Sequence, residues 1–74
     1  MVTVKAYKVS HGEESFLGEL NPRLPIPRKG EIISFEENCE QYKVIAVSYD
    51  YSVDGVLIEI MTRMTDYEEE WYNQ

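Results

Sequence analysis

The run Tyr42-Lys43-Val44-Ile45-Ala46-Val47-Ser48-Tyr49-Asp50-Tyr51-Ser52-Val53-Asp54-Gly55-Val56-Leu57-Ile58-Glu59-Ile60-Met61-Thr62-Arg63-Met64 sets the architecture. Both of its arms are rich in β-branched and aromatic residues, which suit a pleated, half-buried surface, and Asp-Gly is a strong hairpin signal. The segment therefore predicts an antiparallel hairpin. A two-residue loop at Asp54-Gly55 would oppose Val53 to Val56, whereas a four-residue loop would oppose Tyr51 to Val56. Either register puts Ile45, Val47, Tyr49 and Tyr51 on the face of Ile58 and Ile60, because strand side chains alternate with period two. That face is the expected core. Ser48, Asp50, Leu57, Glu59, Met61 and Arg63 fall on the other side. The shorter loop also sets Asp50 against Glu59, a like-charge pairing that costs up to roughly 1 kcal/mol, so the longer loop is expected.

Towards the N-terminus, Val2 to Val9 alternates Val2, Val4 and Ala6 with Thr3, Lys5 and Tyr7 and reads as a first strand. Ser10-His11-Gly12-Glu13-Glu14 has turn composition, and Ser15 to Leu20 is expected to return as a short, irregular partner interrupted by Gly18. Asn21-Pro22-Arg23-Leu24-Pro25-Ile26-Pro27-Arg28-Lys29-Gly30 holds all three prolines of the chain and reads as a stiff connector. Ile32-Ile33-Ser34-Phe35-Glu36 should then pair with the strand that begins at Tyr42, across a turn at Glu37 to Glu40. At the end, Thr65-Asp66-Tyr67-Glu68 fits a capping box, but the stretch from Tyr67 to Gln74 is far shorter than the ~12 to 15 residues that an isolated helix needs. A short helical turn or an acidic, aromatic tail is expected there.

With 74 residues there is room for one domain and one modest core. The expectation is a single domain over residues 1–65 succeeded by a tail over 66–74. Cys39 is the lone cysteine, which leaves no internal disulfide and favours a reducing compartment, so a cytoplasmic location is expected. No window is apolar enough to span a membrane, and the N-terminus lacks the pattern of a signal peptide.

Charge is divided unevenly along the chain. Residues 1–30 carry five bases and three acids, whereas residues 31–74 carry two bases and eleven acids, within a net charge of -7. Such a balance opposes direct binding to nucleic acid phosphates and favours a basic protein partner. The acidic residues Glu36, Glu37, Glu40, Asp50, Asp54, Glu59, Asp66, Glu68, Glu69 and Glu70 are interleaved with Tyr49, Tyr51, Tyr67, Trp71 and Tyr72. Aromatic anchors among carboxylates suit an Arg/Lys-rich partner, and Glu36, Glu37, Asp50, Asp54, Glu59, Asp66, Tyr67, Glu68, Glu69, Glu70, Trp71 and Tyr72 are the expected contact set. The competing explanation is a solvated surface, with Tyr49 and Tyr51 filling the core.

Catalysis needs convergent donors, and the chain offers one His, one Cys and scattered acids. His11 beside Gly12 reads as a solvent-facing turn residue. Glu36 and Glu37 point to opposite faces of a strand, so they form no acid/base dyad. No phosphate loop, nucleophile motif or calcium loop is present. No enzymatic activity, cofactor or metal is expected. Arg23, Arg28 and Lys29 flank the prolines, where the simplest role is a crossing between strands.

The order Pro27-Arg28-Lys29-Gly30-Glu31-Ile32-Ile33, then Tyr42-Lys43-Val44-Ile45-Ala46-Val47, then Val56 to Met64 resembles small SH3-like β-barrel proteins of bacteria and their phages. The match spans residues 25–64. It implies an all-β fold, a small five-stranded antiparallel barrel or strongly bent sheet, of a kind that serves as adaptor, subunit or inhibitor. The expected function is thus a non-enzymatic protein-binding module encoded by a phage or mobile element, in its sharpest form a nucleic-acid mimic. The alternative is a structural subunit that forms a homo-oligomer through its sheet edges.

Overall fold

A computed structural model describes residues 1–35 and 40–65. These form five strands, β1 (Val2–Ser10), β2 (Glu13–Leu20), β3 (Ile32–Ser34), β4 (Gln41–Ser52) and β5 (Gly55–Met64), and no helix. All hydrogen-bond into one sheet in the order β2-β1-β5-β4-β3. Each predicted strand is present. The helical turn or tail expected over 66–74 lies outside the described residues, as do Glu36 and Cys39.

Three of the ladders are antiparallel, as expected, but β1 and β5 pair in parallel, from Val2 with Val56 to Lys8 with Thr62. The sheet is therefore mixed, which corrects the all-antiparallel expectation. Alternation specifies which face of a strand is buried and says nothing of the direction in which a distant strand lies alongside it. The parallel ladder keeps the apolar alternation in step: Val4 sits beside Ile58 and Ala6 beside Ile60, while Lys5 lies level with Glu59 on the outer face.

The sheet curls into a half-barrel. Although β2 and β3 are its opposite edges, a Cβ placed on Gly18 of β2 would lie 3.8 Å from Cε1 of Phe35, just beyond β3. Phe35 in turn meets the buried Tyr42 edge to face at 6.0 Å between ring centres. Side chains close this seam where backbone ladders do not. Val4, Ala6, Val44, Ile58 and Ile60 form the buried core, and Leu17, Leu20, Ile26, Ile33, Phe35, Val47 and Val56 pack around it. The proline segment thus contributes Ile26 as part of the cover. Buried Thr62 donates its hydroxyl to the Tyr7 carbonyl at 2.8 Å, so its polar atom is satisfied inside the core.

Local chemistry explains the turns. His11 and Gly12 both have positive φ, 53° and 81°, and join β1 to β2 as the two-residue hairpin that matches the right-handed twist of its strands. Asn21 bonds the amides of Arg23 and Leu24 through its side chain and its carbonyl, which starts the turn at Pro22. Arg28 donates its amide to the Glu31 carboxylate while Glu31 donates its own to the Arg28 carbonyl. That closed turn delivers Gly30 and Glu31 to Val44, at 2.8 and 2.9 Å.

Candidate functional site

The β4–β5 hairpin carries the described members of the expected contact set. Its register opposes Tyr51 to Val56, Asp50 to Leu57 and Ser48 to Glu59, which is the pairing that keeps Asp50 away from Glu59. The loop itself is shorter than expected: Ser52 still pairs with Gly55, leaving only Val53 and Asp54 in the turn. Gly55 has φ 151°, and the Met1 backbone lies so close that any Cβ there would overlap it. The Val56 amide donates to the Met1 carbonyl at 2.9 Å, and the Met1 ammonium donates to the Asp54 carbonyl at 3.0 Å. Gly55 is thus the position at which the hairpin accepts the start of β1.

A bulge between Val44 and Ala46 leaves Ile45 without a partner on β5. One extra residue shifts the alternation, so Tyr42 and Val44 precede the bulge on the core side while Val47, Tyr49 and Tyr51 come after it there. Ile45, expected on the core face, is half-buried and sits apart from the core cluster. The sequence contains no Gly or Pro at this point to mark the bulge.

Tyr49 and Tyr51 share the core face by alternation yet do not fill the core. They are 49% and 81% exposed, and their rings stack at 6.5 Å with an interplanar angle of 15°. Beside them Val53 at the tip is fully exposed, and Met1 and Val2 are also open to solvent. The core cluster ends at Ile58 and Val56, and the hairpin continues past it as an aromatic and aliphatic patch.

The carboxylates occupy the other side. Asp50 and Glu59 lie on the outer face and Asp54 lies in the turn, so acids and tyrosines do not interleave on one surface as the sequence order suggested. Glu59 is level with Lys5 on β1, which is level with Glu19 on β2, an alternation of sign that offsets the acidic charge there. The described residues hold all seven bases of the chain and eight of its fourteen acids. The excess acid therefore resides in residues 36–39 and 66–74. Glu36, Glu37, Asp66, Tyr67, Glu68, Glu69, Glu70, Trp71 and Tyr72, all named in the expected contact set, lie outside the described residues.

A second feature was not read from the sequence: a cavity of about 300 Å³ at the β2–β3 seam, lined by Val4, Leu20, Leu24, Ile26, Pro27 and Ile33 among others. Its walls are mostly apolar, with Asn21 and Ser34 also on them, and Arg23, Arg28 and Lys29 stand exposed on the adjoining segment. The proline run was its signal, since a stiff segment laid across an open seam leaves gaps beneath it. His11 is exposed in its turn, and no three His, Cys, Asp or Glu side chains converge among the described residues. No helix among the described residues is long and apolar enough to cross a membrane.

No family model matches the chain, and no curated protein or solved structure matches it significantly.

Proposed function

We propose that the protein is a non-enzymatic protein-binding module that uses its β4–β5 hairpin and acidic residues to engage a basic protein partner in the cytoplasm. The observation that carries this reading is the stacked Tyr49–Tyr51 pair with Val53 at the tip, exposed on a strand whose alternation would otherwise bury them. Aromatic side chains give large contact area at low entropic cost, and protein interfaces are enriched in them. Asp54 lies in the turn beside this patch and Asp50 on the opposite face of the same hairpin, and the acids at 36, 37, 66 and 68–70 add a negative field that steers a basic partner. A nucleic-acid mimic, or a phage-encoded inhibitor that occupies the basic site of a host enzyme, is the sharpest form of this proposal. The half-barrel is loosely compatible with the SH3-like barrels that the sequence resembles, and such a fold alone selects no function.

The test is capture from bacterial lysate by the intact chain, the D50N/D54N/E59Q variant and Tyr51→Ala. A basic protein should be held at about 0.05 M salt and released near 1 M, where the Debye length falls to about 3 Å. The charge variant should lose that protein, and Tyr51→Ala should weaken its capture about fivefold or more, as expected for an anchor worth over about 1 kcal/mol. Capture indifferent to salt, charge and Tyr51 would overturn the proposal.

A further inference from the structure

β4 is paired on one side along its length, the bulged Ile45 apart, but on the other only at its beginning. Residues 32–34 of β3 cover Gln41, Tyr42 and Lys43, and Gly30 and Glu31 cover Val44. From Ile45 to Ser52, no described strand hydrogen-bonds to that side.

The direction of the backbone groups along this stretch is set by the pairs at its ends. Val56 gives its amide to Met1, away from β4, so Tyr51 and Val56 form a pair that does not exchange hydrogen bonds. Antiparallel ladders alternate strictly between bonded and non-bonded pairs. Tyr49 with Ile58 and Val47 with Ile60 are accordingly of the same non-bonded kind, and the N–H and C=O groups of Val47, Tyr49 and Tyr51 all point to the open side. Val44, whose two backbone groups already point that way to Gly30 and Glu31, fixes the same phase from the other end.

We infer that this open edge of β4 pairs with the same edge of a second copy, antiparallel and centred on Tyr49. The choice of occupant and register rests on self-complementarity. Centred on Tyr49, the pairs are Tyr49 with Tyr49, Val47 with Tyr51 and Ser48 with Asp50, so every outward donor and acceptor of Val47, Tyr49 and Tyr51 finds a counterpart. Shifting the centre to Ser48 spends Tyr51 on Ile45, the bulged residue, while shifting it to Asp50 opposes two carboxylates. Only the Tyr49 register uses the regular stretch from Ala46 to Ser52. It also carries the second copy's Asp54 turn to the level of Val44, where exposed Arg28 and Lys29 lead into Gly30. Arg28, Lys29 and Glu31 thus stand near the second copy's Asp54 turn at both ends of the paired strands. The edge itself contains neither Pro nor Lys, the residues that commonly block such pairing. The resulting assembly is a continuous sheet across two copies, with the stacked tyrosines of both gathered on one face.

This inference does not depend on the basic partner, and its failure is read separately, as mass in the absence of any partner. Sedimentation of the full chain over about a hundredfold range of concentration should show a reversible rise from monomer to dimer mass. Tyr49→Pro removes an outward amide at an edge position, where proline is tolerated, and should hold the chain monomeric with an unchanged far-ultraviolet spectrum. Should that variant unfold, Tyr49→Lys, which opposes two ammonium groups at the centre of the register, should do the same, while Asp50→Asn leaves the dimer intact. A monomer at every concentration would overturn the inference. So would a dimer that survives both Tyr49 variants, since it would be built elsewhere.

Discussion

Replacing Ile60 by Ala is expected to destabilise the protein by about 2 to 5 kcal/mol, the range for emptying a fully buried aliphatic site. Ile60 is 0% exposed and lies at the centre of the sheet, beside Ala6 on β1 and Val47 on β4. Its neighbours belong to three hydrogen-bonded strands, so they are poorly placed to collapse into the space. A domain of this length is stable by roughly 4 to 11 kcal/mol, so the variant should be partly unfolded at ambient temperature or unfold at far lower urea. Met61→Ala, one residue along and on the outer face opposite Tyr7, removes a half-buried side chain instead and should cost less than about 1.5 kcal/mol. Urea midpoints for the two variants check the assignment of faces. Equal losses would mean that the alternation is misplaced.

Gly55→Ala should be the most damaging glycine substitution. At φ 151° a side chain is strained by about 1 to 3 kcal/mol, and the new Cβ would also collide with the Met1 backbone. Displacing that backbone breaks the bonds from Val56 to Met1 and from Met1 to Asp54, each worth about 0.5 to 1.5 kcal/mol. The expected total is about 2 to 6 kcal/mol. Gly12→Ala supplies the comparison, since Gly12 has φ 81° but open space around it, and should cost only the strain, about 1 to 2 kcal/mol. A chain beginning at Val2 should recover part of the Gly55→Ala loss, because the collision is then gone. No recovery in thermal melts would assign the whole effect to backbone strain.

The hairpin, its register and its two faces were legible because alternation, Asp-Gly and the repulsion of Asp50 and Glu59 all point the same way. The β1–β2 turn at His11-Gly12 and the stiff connector of the proline run arise equally from local chemistry. Three things were not legible. The parallel direction of β1 against β5 depends on a contact across more than fifty residues, and the bulge at Ile45 has no residue type that marks it. The exposure of Tyr49 and Tyr51 depends on where the cover of the core ends, which a strand's own sequence does not encode. Of the acids in the expected contact set, Asp50, Asp54 and Glu59 are on the hairpin as expected, but the register separates them from the tyrosines.

The pairing of two copies rests on one structural claim, that β4 beyond the bulge is a strand with an open side. Residue-resolved amide hydrogen exchange at the lowest workable concentration tests it directly. Slow exchange at Ser48, Asp50 and Ser52, whose amides face β5, alternating with fast exchange at Val47, Tyr49 and Tyr51, is the predicted pattern. Uniform protection across Val47 to Ser52 in the monomer would contradict it, because another part of the chain would then already occupy the edge.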